Sequence, residues 1–109
     1  WGKALHLYRP YLSLKDAFKT INFILIKNFF PCEVFNILSE NKTVNDILKI
    51  IRKNNYKTKI KFTKSRILNQ DSYKISKKKI NSYGLNLNSK IEKDIKQTLK
   101  AISQNKIIF

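Results

Sequence analysis

The chain has no methionine, and among its 109 residues it holds only one cysteine, one histidine, two glycines and two prolines. Each scarcity excludes something. Cys32 has no second cysteine for an internal disulfide, and with His6 it cannot make up a Cys/His metal site of the usual four ligands. Gly2 and Gly84 cannot write Gly-x-Gly-x-x-Gly, so the chain has no loop on which a dinucleotide pyrophosphate could rest. With 42% hydrophobic residues and so little Gly and Pro, the composition is unlike that of a disordered or collagen-like chain. The longest apolar stretch, residues 21–30, is broken by Asn22, Lys27 and Asn28 and falls short of the ~20 residues a bilayer span needs. Trp1 is no translation start, which leads us to expect a portion of a longer polypeptide.

Arginine is also scarce. The formal net charge is +16, yet only Arg9, Arg52 and Arg66 are arginines among 23 basic residues. A charge this high ordinarily suggests nucleic acid or another anionic surface. Base edges and phosphates, however, favour the planar guanidinium fork over the lysine ammonium. Lysine travels here with abundant Ile and Asn, and A/T-rich codons account for all three together, whereas selection for nucleic acid would account for the lysines alone. Nucleic acid is therefore not the expected partner. The alternative is a small basic ribosomal or organellar RNA-binding protein with a salt-sensitive Lys surface, although no RNA-recognition motif is present.

Hydrophobic periodicity predicts an α/β module of about 109 residues with one core. A strand is expected over 4–8. A helix follows from Ser13, with Ser13 and Asp16 in capping-box relation, an apolar face of Leu14, Ala17, Phe18, Ile21 and Leu25, and Pro31 as its stop. A buried strand is expected over 33–37, then a helix capped by Thr43 and Asp46 with Val44, Ile47, Leu48 and Ile51 on one stripe. Strands are also expected over 59–63 and 72–75. Ser76 starts a short helix stopped by Gly84, and Ser89 with Glu92 starts a last helix along Ile91, Ile95, Leu99 and Ile102.

Arg9 lies between the first strand and a helix N-terminus, where free N–H groups and partial positive charge already favour an anion. A guanidinium fork there suits a phosphate; the plainer reading is a surface arginine paired with a carboxylate such as Asp16. Two Tyr-x-x-x-Lys matches occur, Tyr11 to Lys15 and Tyr73 to Lys77. Neither pair is expected to lie within one helix, where the ammonium could lower the phenol pKa, so no catalysis is assigned to them. Lys77 to Lys79 reads as a solvated helix start, and Phe23, Phe29, Phe30 and Phe35 as core rather than a base-stacking platform.

In order and spacing, the Arg9-Pro-Tyr11 segment with its helix, Phe35-Asn36-Ile37, the capped helix from Thr43, the loop from Lys64 to Tyr73 and the Ser76 helix with Gly84 resemble the C-terminal part of an NAD-dependent nucleotide-sugar epimerase or dehydratase of the extended short-chain dehydrogenase class. The resemblance implies the C-terminal end of a Rossmann-type parallel sheet plus a small α/β substrate-binding subdomain. It implies that Arg9 and Arg66 meet the diphosphate of a nucleotide sugar and that Tyr11 neighbours the nucleotide. It further implies that NAD and the catalytic Tyr-Lys pair belong to an N-terminal Rossmann portion outside this chain. Alone, the chain would bind no NAD and have no activity. The complete enzyme would be cytoplasmic and could form a homodimer.

Overall fold

The computed structural model describes residues 2–54, 56–62 and 71–104. They form a mixed α/β arrangement: a two-stranded antiparallel ribbon, β1 (Tyr8–Tyr11) and β2 (Glu40–Thr43), and four helices, α1 (Leu14–Ile26), α2 (Val44–Lys53), α3 (Lys78–Ser82) and α4 (Ile91–Ser103). The pairs run from Tyr8 opposite Thr43 to Tyr11 opposite Glu40. Pro10 is tolerated within β1 because a ribbon of two strands has only edges, where a missing N–H breaks no interior ladder.

The starts of α1 and α2 follow the sequence signals, whereas α3 begins after Lys77, one residue past the expected Ser76, with no side-chain cap. Ser13 Oγ accepts from Asp16 N at 3.0 Å, and Thr43 and Asp46 close a full capping box, with Asp46 N donating to Thr43 Oγ1 and Thr43 N to Asp46 Oδ2, both at 3.0 Å. Thr43→Ala should therefore cost about 1 kcal/mol, read as a drop of about 5 °C in Tm. Gly84 ends the α3 turn at φ +97° with open space around the position of a Cβ, so the demand for glycine is one of backbone conformation alone.

Several expectations need correction. Residues 2–6 form a 3-10 turn, and the first strand begins only at Tyr8. Residues 33–37 are irregular, Cys32 before them adopts φ 55°, and the strand that pairs with β1 is Glu40–Thr43. Residues 59–62 and 72–75 form no strand; Ile60 and Phe62 are exposed, and an alternating pattern without a neighbouring strand has nothing to pair with. Residue 63 lies outside the described residues. Helix α1 ends at Ile26, before Pro31, where Asn28 takes the left-handed conformation at φ 49°. Helix α4 begins after Lys90 with no side-chain cap, because Ser89 has turned to Asp16 and the carboxylate of Glu40 accepts from Ile91 N at 3.0 Å.

The expected parallel sheet is not among the described residues; the sheet there is the antiparallel ribbon. The core is small. Ile80, Leu85 and Leu87 form its centre, with Phe23, Phe29, Phe35 and Ile37 packed against them. Phe29 lies 5.1 Å from Phe23 and 5.5 Å from Phe35, edge-on or tilted, as interior aromatic pairs prefer. Phe30 does not join them and stays exposed. The shape is a slab of 45 × 38 × 21 Å with a radius of gyration of 16.7 Å, against about 13 Å for a compact chain of this length.

Candidate functional site

The ribbon carries the sequence-predicted residues. Arg9 and Tyr11, two apart on β1, point to one face, and their cross-strand partners Lys42 and Glu40 share it. Arg9 and Lys42 are thus two cations directly opposite each other. Like charges in that position disfavour the pairing, and Glu40 on the same face and Asp46 near Lys42 offset it. At the other end of the face, Lys90 Nζ lies 3.5 Å from Glu40 Oε1, which ties the start of α4 to the ribbon.

Arg9 also arranges its surroundings. Its Nη1 donates to Tyr8 O and to Asp71 O, both at 2.7 Å, and its guanidinium lies over the Tyr73 ring at 5.2 Å from the centroid. Tyr8 N donates to Ser72 Oγ at 3.0 Å, and the Asn41 amide grips Ile75 from both sides, Nδ2 to Ile75 O at 2.9 Å and Ile75 N to Oδ1 at 3.1 Å. Segment 71–75 is not a strand, yet side chains of the ribbon hold it alongside. Arg66 falls in residues 63–70, outside the described residues; Asp71, which Arg9 anchors, follows that stretch in sequence. Arg52 is exposed on α2.

Beside the ribbon opens a polar cleft of about 380 Å³, bordered by Asn41, Lys74, Lys77, Asn88 and Lys90, with Ser39 and Ser89 in its wall. The ammonium of Lys74 sits 4.0 Å from the Tyr8 ring centroid. Lys77 Nζ donates to Ser39 O at 2.9 Å and to Leu87 O, joining the cleft wall to the core.

Behind this wall lies a polar knot that the sequence did not suggest. Asp16, 1% exposed, accepts from Ser39 Oγ at 2.5 Å, Ser89 Oγ at 2.8 Å and Ser89 N at 3.2 Å. Ser13 N in turn donates to Ser39 Oγ at 3.0 Å. Burial opposes the charge of Asp16, but the bonds from Ser39 and Ser89 outweigh it, aided by Lys19, and hold the carboxyl below its ordinary range. One carboxylate therefore fastens the α1 start, the turn before β2 and the segment leading into α4. Local spacing presents Asp16 and Ser89 as helix caps, and nothing in it announces a bond between residues 73 apart.

Of the two Tyr-x-x-x-Lys pairs, Tyr11 is on β1 with Lys15 in the first turn of α1, and Tyr73 is in the irregular segment with Lys77 just before α3. Among the described residues no group of three or more His, Cys, Asp or Glu could hold a metal ion, and no helix is long and apolar enough to cross a membrane. Comparison of the chain with models of protein families, with curated proteins and with solved structures finds no match.

Proposed function

We propose that this chain is the substrate-holding C-terminal portion of an NAD-dependent nucleotide-sugar epimerase or dehydratase, and that the ribbon face carrying Arg9, Tyr11 and Lys42 receives the diphosphate of the nucleotide sugar. The observation that carries the reading is that Arg9, Tyr11 and Lys42 share one face of the ribbon beside the lysine-rimmed cleft. A diphosphate there would meet a guanidinium and ammonium groups together. The lysine-rimmed cleft beside the ribbon and the place of Tyr11 two residues along β1 from Arg9 are in keeping with it. Arg66 is the proposed second arginine on the diphosphate. The ribbon would then lie at the end of a larger parallel sheet supplied by the Rossmann portion, which would contribute the NAD site and the catalytic residues in a cytoplasmic enzyme.

Calorimetric titration with a set of nucleoside diphosphates tests this. Arg9→Ala should weaken binding by about 1.5–3 kcal/mol, the range for a hydrogen bond to a charged group, and Lys42→Ala by about 1 kcal/mol. Arg9→Lys keeps the charge and loses the fork, so it should fall between wild type and Arg9→Ala. Arg52→Ala should change nothing. A nanomolar, sequence-selective complex with RNA at physiological salt, with no response to nucleoside diphosphates, would favour the RNA-binding alternative instead.

A further inference from the structure

Most lysines of the chain stand in water, but Lys77 does not. Its side chain is half-buried, and two of the three N–H groups of its ammonium are taken by Ser39 O and Leu87 O. Both acceptors are neutral carbonyls, so they orient the charge without balancing it. Among the described residues the lysine ion pairs are Lys53 with Glu92, Lys79 with Glu33 and Lys90 with Glu40, and none includes Lys77. Lys42, the other half-buried lysine, has Asp46 nearby. Lys74, which borders the same cleft as Lys77, rests on the Tyr8 ring and is in none of these pairs either. Glu40, the one carboxylate bordering the cleft, is taken up by Lys90 Nζ and Ile91 N. The cleft is left with two positive charges and no counter-charge, and withdrawing an ammonium from water without one is unfavourable.

We infer that the substrate carries a carboxylate on its sugar, as a nucleoside diphosphate hexuronate does, and that Lys77 and Lys74 receive it in this cleft. The inference rests on the diphosphate reading and adds to it the class of sugar. Placement follows from the strand. Glu40 and Asn41 border the cleft, and Lys42 is the next residue of β2; two residues of strand span about 7 Å. A sugar bonded to a diphosphate at Lys42 therefore reaches the cleft, whose volume of about 380 Å³ falls among those of small-molecule sites. Asn88, exposed at the rim, offers its amide to sugar hydroxyls. A carboxylate suits the cleft better than a further phosphate, because no guanidinium fork borders it and the charges there are single ammonium groups. A carboxylate supplied by another part of the enzyme would fill the space that the sugar needs.

The test takes the nucleoside diphosphate that binds best in the calorimetric series and titrates the chain with its glucose, glucuronate and glucuronate methyl ester forms. The glucuronate should bind about tenfold or more tightly than the glucose form, as a hydrogen bond to a charged group provides. The methyl ester keeps the ring and removes the charge, so it should bind like the glucose form. Lys77→Met should abolish the preference. Lys74→Met, at an exposed position where the fold is not at stake, should lower it about threefold or more, so the test does not depend on the folding of the Lys77 variant. Lys100→Met, exposed in the last turn of α4, should leave it unchanged, which separates the cleft from the general charge of +16. Equal binding of the glucose and glucuronate forms would overturn this inference and leave the diphosphate reading standing. A preference that survives Lys74→Met and Lys77→Met, or that Lys100→Met lowers as much, would overturn it as well. If no nucleoside diphosphate of the series binds, the diphosphate reading falls and the inference with it.

Discussion

Asp16→Ala will destabilise the fold by on the order of 3–5 kcal/mol, because three donors, Ser39 Oγ, Ser89 Oγ and Ser89 N, lose their acceptor inside the protein and each unsatisfied group costs about 1–3 kcal/mol. A chain of this size has about 5–15 kcal/mol in all, and a slab with a small core belongs at the low end, so the variant should be largely unfolded at moderate temperature. Asp16→Asn, which keeps the shape and one acceptor oxygen, should retain part of the loss. The same carboxylate sets a pH dependence. Its folded-state pKa lies below the ordinary 3.8, so its contribution is complete above that value and disappears as pH falls through the lower folded-state value. Asp46, held down chiefly by the backbone N–H of Thr43, acts in the same direction. Tm should be flat between about pH 5 and 7 and fall below about pH 4, and Asp16→Asn should make that fall shallower.

Leu87→Ala carries the second large effect. Leu87 is buried at the centre of the core with Ile80 and Leu85, and its carbonyl accepts from Lys77. Removing its branched end loses transfer energy and leaves a cavity, for a cost of about 2–5 kcal/mol. The informative contrast is Leu14→Ala on the outward-turned apolar face of α1, where Leu14 is 89% exposed, expected within about 0.5 kcal/mol of wild type. Urea denaturation should show the Leu87 variant with a lower midpoint and an unchanged slope. Equal losses at the two positions would contradict the burial of one and the exposure of the other.

That contrast also marks how far the sequence could be read. The caps of α1 and α2 and the stop of α3 were legible because they are local: Ser13 with Asp16, Thr43 with Asp46, and Gly84 at positive φ each act within a few residues, whereas Ser89 was drawn off to Asp16 and gave α4 no cap. Strands were not, since residues 33–37 and 59–62 have strand-like side chains but no neighbour to pair with, and only tertiary context supplies one. Periodicity found the apolar stripe of α1 correctly and could not tell which way it would face. Asp16 shows the opposite failure. Its role is made by Ser39 and Ser89 from distant segments, so a residue that looks like a helix-start signal is the polar centre of the fold. At the candidate site, Arg9 and Tyr11 were visible as a motif, but Lys42 enters only through the register of β1 with β2.

The central claim, that the Arg9–Lys42 face holds a diphosphate, is tested most directly by titrating isotopically labelled chain with a nucleoside diphosphate and mapping the backbone amide shifts. Saturable shifts should concentrate at Arg9, Tyr11, Lys42 and the 71–75 segment, with affinity weakened at least tenfold in Arg9→Ala. Shifts spread evenly over the lysines and erased by moderate salt, or none on the ribbon, would contradict it.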